Sequence, residues 1–282
     1  TMYVCNDCPR RCRVDREIKV GFCDSGINAR VAKTVAPFLY EEPILGRLSA
    51  VFFSGCSLRC SYCQNVAISR GAVGDEYDDE ALARLFDGAV GALDLVTPTH
   101  YIGAIERAVK LCRTKKRIIW NTSGYETESG VKRAGEIADV FLTDIKYYDS
   151  EIARKYSAAP DYFERAKTAV KLMREKKDRI EQEDGQAVMT HGLVVRHLVL
   201  PGCAKDSMNV LDFVAGELGT DTYISLMSQF TPNGVGEPTA RLSKIEYKIV
   251  AEHALKLGFK NGFFQDFSSA DSSYTPKFKP NV

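Results

Sequence analysis

Cysteine constrains this 282-residue chain more than any other residue type, because seven of its nine cysteines fall in two short segments. The two groups are Cys5, Cys8, Cys12 and Cys23, and then Cys56, Cys60 and Cys63. An odd number of cysteines without a secretory leader argues against a disulfide framework and favours metal binding. We therefore expect two metal sites in a cytoplasmic protein.

The bulk composition points away from two classes of partner. A formal net charge of +1 gives no overall field that would attract nucleic acid or an anionic membrane surface. No apolar run approaches the roughly 20 residues that span a bilayer. A content of 45% hydrophobic and 27% charged residues is typical of a soluble globular protein. We expect neither a membrane nor a nucleic-acid partner.

The chain divides into two parts with different patterns. Residues 1–47 show no sustained period and few large apolar residues, so we expect a small cysteine-rich appendage that folds around a metal. In residues 48–282, six apolar runs of strand length each precede a stretch of helical period. The predicted strands are Ala50–Phe53, Leu93–Val96, Arg117–Trp120, Val140–Leu142, Leu193–Leu200 and Thr222–Leu226. The predicted helices are Asp79–Leu93, Ile102–Lys115, Ser129–Ala138, Tyr162–Lys177, Asp206–Leu218 and Ser243–Leu257.

This alternation predicts an α/β fold with a parallel sheet and right-handed crossovers. Six β/α pairs are too few for an eight-stranded barrel, and they suit a partial (β/α)6 barrel or a doubly wound sheet. In both architectures the functional site lies at the carboxyl ends of the strands.

The second cysteine group stands on the loop that leaves the first of these six strands. Its spacing, Cys56-x3-Cys60-x2-Cys63, brings three thiolates close enough to hold three irons of a [4Fe-4S] cluster. The fourth iron then has no ligand in this segment, and an open coordination position is what a catalytic metal needs. The alternative is a zinc site completed by a distant cysteine or histidine.

This segment, with Tyr62 just before its third cysteine, resembles the signature of the radical S-adenosylmethionine (SAM) superfamily. Further segments resemble, in order, those of the activating enzymes of pyruvate formate-lyase. They are Asn121-Thr122-Ser123-Gly124-Tyr125, Asp144-Ile145-Lys146 and Arg196-His197-Leu198-Val199-Leu200-Pro201-Gly202. Nearly the whole chain, with Glu41-Glu42-Pro43 among its segments, is similar to the PflX-type radical SAM proteins grouped with those activating enzymes.

The resemblance implies a partial barrel in which SAM is chelated by the open iron and is cleaved, on reduction, to methionine and a 5′-deoxyadenosyl radical. Tyr62 would lie beside the adenine. The other implied cofactor-binding residues are Asn65, Thr97, Thr99, His100, Asn121, Asp144, Lys146 and Arg196.

Some of these residues depart from the family pattern or have another interpretation. Thr97-Pro98-Thr99-His100-Tyr101 stands where the superfamily has a Gly-Gly-Glu-like turn, so we assign the SAM ammonium to Thr97, Thr99 and His100. His100 is equally compatible with a packed turn. Asp144 and Lys146 could instead form a mutual ion pair. Of Arg196 and His197, which point to opposite faces of a regular strand, the resemblance favours Arg196 at the barrel mouth.

The amino-terminal group has four thiolates within nineteen residues, at Cys5, Cys8, Cys12 and Cys23. Four thiolates suffice for a closed zinc site or a fully ligated [4Fe-4S] cluster. We favour zinc, because so small a segment needs a metal to fold, and an auxiliary [4Fe-4S] cluster is the alternative.

These features together predict a radical SAM oxidoreductase. The resemblance implies that it abstracts a hydrogen atom from a glycine of a glycyl radical enzyme, with electrons from a reductant such as flavodoxin or ferredoxin. One alternative is a radical SAM enzyme acting on a small molecule or another macromolecule. Another is a non-catalytic metal-binding or electron-carrier module, which the strand-end residues argue against because a carrier needs no SAM-holding side chains.

Overall fold

The computed structural model describes residues 4–38 and 43–267, and the Glu41-Glu42 pair quoted above lies outside them. The strands are β1 (Ala29–Phe38), β2 (Leu48–Phe53), β3 (Asp75–Tyr77), β4 (Ala92–Val96), β5 (Ile118–Thr122), β6 (Val140–Asp144), β7 (Arg179–Glu183), β8 (Gln186–Leu198), β9 (Tyr223–Met227) and β10 (Gly262–Phe264). The helices are α1 (Val66–Ser69), α2 (Asp79–Asp87), α3 (Ile102–Leu111), α4 (Glu128–Ile137), α5 (Ser150–Ser157), α6 (Tyr162–Arg174), α7 (Ala204–Phe213) and α8 (Lys244–Leu257).

The six predicted strands are all present as β2, β4, β5, β6, β8 and β9. They lie side by side in that order, and each pairs in parallel with the next. The predicted α/β fold with a mostly parallel sheet is therefore confirmed.

The two faces of the sheet are covered differently. The six crossover helices α2, α3, α4, α6, α7 and α8 all contribute to one apolar cluster against one face. The opposite face is filled largely by strand side chains such as Ala50, Ile119 and Leu142. A doubly wound sheet would carry helices on both faces, so this arrangement is the wall of a partial barrel and not the doubly wound alternative.

The sheet begins earlier in the chain than expected. β1, in the segment predicted as an appendage, pairs antiparallel with β2, and β3 pairs antiparallel with β1. At the other edge β10 pairs in parallel with β9, and β7 forms a hairpin with the start of β8. Residues 29–38 therefore extend the barrel sheet, and the residues before them form the part that packs on it.

Helix ends differ from the predictions where capping residues intervene. The prediction of a helix over Asp79–Leu93 is too long, because α2 ends at Asp87 before Gly88 and the chain then enters β4. α5 was not predicted, although Asp149 caps it by accepting from the backbone of Glu151 and Ile152. Within the described residues, no helix combines the length and apolar character needed to cross a bilayer.

The turn that leaves β2 is fitted closely against the amino-terminal segment. Gly55 has a φ of +84°, in the left-handed region that favours glycine. A Cβ at this position would lie 2.3 Å from the backbone oxygen of Cys23 and 2.4 Å from Ser25 Oγ. Only a glycine lets the two backbones approach this closely.

We expect the substitution Gly55→Ala to lower the free energy of unfolding more than Gly71→Ala, measured by urea denaturation. Gly71 is a matched control, since its φ is +85° but no heavy atom lies within 4 Å of an added Cβ. The control should therefore report backbone strain alone, about 1–2 kcal/mol. Equal losses in the two variants would show that Cys23 and Ser25 do not constrain the turn.

Candidate active site

A cavity of about 230 Å³ opens at the carboxyl ends of the parallel strands. Most of the predicted site residues line it, namely Cys56, Cys60, Cys63, Tyr62, Asn65, Thr97, Asn121, Asp144, Lys146 and Arg196. They come from the ends of β5, β6 and β8 and from the loops after β2 and β4, so the chain assembles the cavity from distant segments.

The loop after β2 carries the three cysteines along one wall of the cavity, and all three are free thiols. Hydrogen bonds tie this loop to other elements of the barrel mouth. The Ser61 amide donates to the Tyr156 carbonyl at 2.8 Å, and Asn233 Nδ2 donates to the Ser61 carbonyl at 2.9 Å. The cysteines therefore stand on a braced loop.

The environment of Cys56 and Cys63 disfavours the free thiolate forms of these two residues. Burial raises the pKa of Cys63 to about 11, and it raises the pKa of Cys56 further above the ordinary value. Iron binding would supply the positive charge that stabilises the thiolates. Three free thiols beside a cavity thus have the donor chemistry of a [4Fe-4S] cluster with one open iron.

A charged network also lines the cavity. Asp144 accepts from Lys146 Nζ at 2.5 Å and from Arg196 Nε at 3.1 Å. Arg196 Nη2 also donates to Asn121 Oδ1 at 2.7 Å, and Asn121 Nδ2 donates to Asp94 at 3.3 Å. The ion pair between Asp144 and Lys146 therefore exists, but it is part of the cavity wall.

The charges in this network support one another. Burial alone would raise the pKa of Asp144, but Lys146 and Arg196 lower it below its ordinary value. Burial alone would lower the pKa of Lys146, but Asp144 raises it. Asp144 and Lys146 thus stay charged at neutral pH, and the two cations of the lining, Lys146 and Arg196, suit an anionic ligand group.

Of the three residues in the turn after β4 that were assigned to the SAM ammonium, one lines the cavity and two do not. Thr97 lines the cavity and has a φ of +61°, an uncommon conformation for a β-branched residue. Thr99 and His100 are buried and are not among the side chains that line the cavity. Thr99 donates to Glu126 at 2.6 Å, and His100 Nε2 lies 2.8 Å from the Ser54 carbonyl. These contacts fit the packed-turn interpretation of His100, whose pKa burial lowers to about 3.

On β8, alternate residues face in opposite directions. Arg196 lines the cavity, whereas His197 is buried and its Nδ1 lies 2.6 Å from the Ile145 carbonyl.

Several cavity residues were not predicted from the sequence. They are Phe38, Phe52, Leu58, Gln64, Val96, Thr122, Ser123, Leu198, Met227 and Gln229. Their apolar members look like ordinary strand core in the sequence, and Phe38 belongs to a strand that was not predicted. A signal was available for Leu198, which stands two residues after Arg196 and therefore shares its face of β8.

The amino-terminal cysteines lie beside the cysteine loop and near one another. Cys5, Cys8 and Cys23 are buried, and Cys12 is partly exposed. Burial raises the pKa of Cys8 to about 12, and the neighbouring thiols of Cys23, Cys5 and Cys12 raise it too. Among the described residues, no group of three or more His, Cys, Asp or Glu side chains has the arrangement of a metal-ion site, so a shared metal stays a prediction both here and at Cys56, Cys60 and Cys63.

A buried carboxyl links the turn after β4 to the end of β5. Glu126 Oε1 accepts from Thr99 Oγ1 and from Thr122 Oγ1, each at 2.6 Å, and Thr122 lines the cavity. Burial raises the pKa of Glu126 to about 7, although the two threonine hydrogen bonds act in the opposite direction. Glu126 therefore changes its charge near neutral pH, one hydrogen bond away from the cavity lining.

We expect this carboxyl to make stability depend on pH. Because its folded pKa lies above its ordinary value of 4.5, its contribution is complete below pH 4.5 and is lost as the pH rises to about 7. The wild type should therefore lose on the order of 3 kcal/mol relative to Glu126→Gln over this range. Denaturation at a series of pH values measures the difference, with exposed Glu128→Gln as the control. Parallel curves for the wild type and Glu126→Gln would contradict the assignment.

Comparison with known proteins agrees with the site. The family model described as "Radical SAM superfamily" matches residues 50–182, which contain the three cavity cysteines, Asp144 and Lys146. The uncharacterized protein MJ0674 of Methanocaldococcus jannaschii is 25% identical over 243 residues, covering 81% of this chain and 66% of its own length. The match therefore spans slightly less than two thirds of that relative.

A solved structure, Streptococcus suis SuiB bound to precursor peptide SuiA, is similar with a TM-score of 0.49 and 13% identity. The alignment covers 74% of this chain and 46% of that chain. The family match covers the β2 loop and strands β4, β5 and β6 but not β8, and the family implies a [4Fe-4S] cluster and SAM. Residues 50–182 of the chain thus match the radical SAM superfamily, and the match includes the three cysteines of the cavity.

Proposed function

We propose that the protein is a radical SAM enzyme, and that it is an activating enzyme that generates a glycyl radical in a partner protein. The observation that carries this proposal is the cavity, whose lining includes three cysteines together with Asp144, Lys146, Arg196 and Asn121. Each of these residues belongs to a segment that resembles the activating enzymes of pyruvate formate-lyase. The pattern in the sequence thus corresponds to one place in the fold.

Cys56, Cys60 and Cys63 would hold the cluster, because they are the thiols that line the cavity. A bound cluster would supply the one electron needed to cleave a carbon–sulfur bond of SAM to methionine and a 5′-deoxyadenosyl radical, and this radical would take a hydrogen atom from the substrate. A low-potential protein such as flavodoxin or ferredoxin would supply that electron.

The charged wall would orient SAM. Lys146 and Arg196 are the cations that would receive its carboxylate, and their shared partner Asp144 would accept from the ribose hydroxyls. The Thr97 hydroxyl would accept from the ammonium. Tyr62, which is 6% exposed and packs edge-on against Tyr147, would lie beside the adenine.

The apolar lining would protect a radical once it forms. Phe52, Leu198 and Met227 line the cavity beside the polar residues. Such side chains exclude water and keep the reacting groups in place, which limits side reactions.

In the amino-terminal segment, Cys5, Cys8, Cys12 and Cys23 would bind a second metal centre, with zinc favoured over an auxiliary [4Fe-4S] cluster. The segment is attached to the barrel by buried Arg16, which donates to the His100 carbonyl and pairs with Asp7. Zinc would make this segment a scaffold, whereas a cluster would add a redox centre. Zinc and iron contents of anaerobically purified protein distinguish the two.

We expect Cys56→Ala, Cys60→Ala and Cys63→Ala each to abolish formation of 5′-deoxyadenosine and to remove about four irons per chain. The assay is anaerobic SAM cleavage by reconstituted, dithionite-reduced protein. Cys112→Ala, at the end of α3 and outside the cavity lining, is the matched control and should keep full activity. Radical SAM chemistry at this site would be refuted by 5′-deoxyadenosine formation in the triple variant.

Activation is then tested by anaerobic incubation with a glycyl radical enzyme of the same genome, where a glycyl signal in the electron paramagnetic resonance spectrum is expected.

Substitution of Asp144 or Lys146 in the charged network of the cavity should weaken SAM binding without loss of iron. Lys146→Met and Asp144→Asn remove one charge each, and we expect dissociation constants about tenfold higher, since each tenfold corresponds to about 1.4 kcal/mol. Equilibrium binding to the reconstituted protein measures the change. Lys155→Met, whose exposed side chain pairs with Glu237 and is not part of the cavity lining, is the control. Unchanged affinity would assign Asp144 and Lys146 to a purely structural ion pair.

A further inference from the structure

A chain of buried hydroxyl groups leads from the cysteine loop into the protein. Ser157 Oγ, on the last residue of α5, donates to Cys60 Sγ at 2.9 Å. The Tyr147 hydroxyl lies 2.6 Å from Ser157 Oγ and 2.7 Å from the Tyr62 hydroxyl. The hydroxyls of Ser157 and Tyr147 therefore connect the sulfur of Cys60 to the hydroxyl of Tyr62, which stands directly before Cys63 in the chain.

This chain is shielded from solvent along its length. Ser157 and Tyr147 are both 0% exposed, and Tyr62 is 6% exposed. Water therefore has no access to replace Ser157 as the donor to the sulfur.

An arginine from the amino-terminal segment holds both ends of the contact. Arg10 Nε donates to the Ser57 carbonyl at 2.9 Å, and its two other nitrogens donate to the Ser157 and Ala158 carbonyls at 3.2 and 2.7 Å. Ser57 lies in the cysteine loop, between Cys56 and Cys60. One guanidinium group thus fixes the position of Ser157 relative to the loop that carries its acceptor.

We propose that Ser157 is a positioning residue that raises the reduction potential of the cluster through its hydrogen bond to Cys60, with Arg10 and Tyr147 holding it in place. The proposal rests on the proposed function, in that Cys60 is taken to be a cluster ligand. It adds a residue outside the cavity lining, and it gives the amino-terminal segment a role in the redox chemistry of the barrel.

The physical reason lies in the charge of the sulfur. Reduction adds one electron and makes the cluster and its thiolates more negative, and a donated hydrogen bond stabilises that added charge. Hydrogen bonds to the sulfurs are among the factors that set cluster potentials. The low dielectric around Ser157 makes the bond stronger than it would be in water.

The test is a potentiometric titration of the reconstituted full-length protein, followed by electron paramagnetic resonance. Ser157→Ala should lower the equilibrium constant for one-electron reduction about tenfold, a shift of about 59 mV to more negative potential. Tyr147→Phe and Arg10→Met should also shift the reduction potential to more negative values, but by a smaller amount. Ser207→Ala, an equally buried serine on α7, should leave the potential unchanged.

Iron content separates this proposal from the function on which it rests. Ser157→Ala should retain four irons and an altered potential, whereas Cys60→Ala should lose the cluster. A Ser157→Ala protein with four irons and the wild-type potential would overturn the proposal while leaving the function intact. Full iron content in Cys60→Ala would overturn both. Should Ser157→Ala fail to fold, Tyr147→Phe keeps the ring in place, and an unchanged potential in that variant would overturn the proposal.

Discussion

The site depends on the parallel pairing of six strands. Because every crossover returns the chain to the same end of the sheet, the residues that follow each strand meet at one edge. The cysteine loop after β2, Asn121 in β5, Asp144 at the end of β6 and Arg196 near the end of β8 thereby line one cavity, although they are far apart in the chain. The antiparallel strands β1 and β3 lie beyond β2 and add Phe38 to the lining.

Charge is the second requirement of this edge. Buried carboxylates and cations are tolerated only when they are paired, and Asp144 satisfies two cations at once. The arrangement also keeps Lys146 and Arg196 in fixed positions before any ligand arrives, so little side-chain entropy remains to be lost on binding. Burial raises the pKa of the Cys56 and Cys63 thiols, so their anionic forms require positive charge nearby.

The sequence was sufficient to predict the strands that are apolar and buried, and the polar residues that end them. It was not sufficient for β7, whose five residues are all exposed, or for α5, which is short and mostly polar. The roles expected for Thr99 and His100 could not be tested by pattern, because the direction of a side chain in an irregular turn depends on its neighbours, here Glu126 and Ser54. The contact between Ser157 and Cys60 could not be predicted for a related reason, since it forms only when α5 packs beside the cysteine loop.

The contact between Gly55 and Cys23 limits which amino-terminal segments can replace the native one in a chimeric protein. The backbone of the amino-terminal segment touches the turn after β2 where no side chain fits, and Arg10 bonds to carbonyls in two further stretches of the barrel. A chimera that receives this segment from a relative must therefore also receive a glycine at position 55 and a matching α5 terminus. The two cysteine-bearing parts therefore depend on each other structurally, even though the sequence presents them as separate modules.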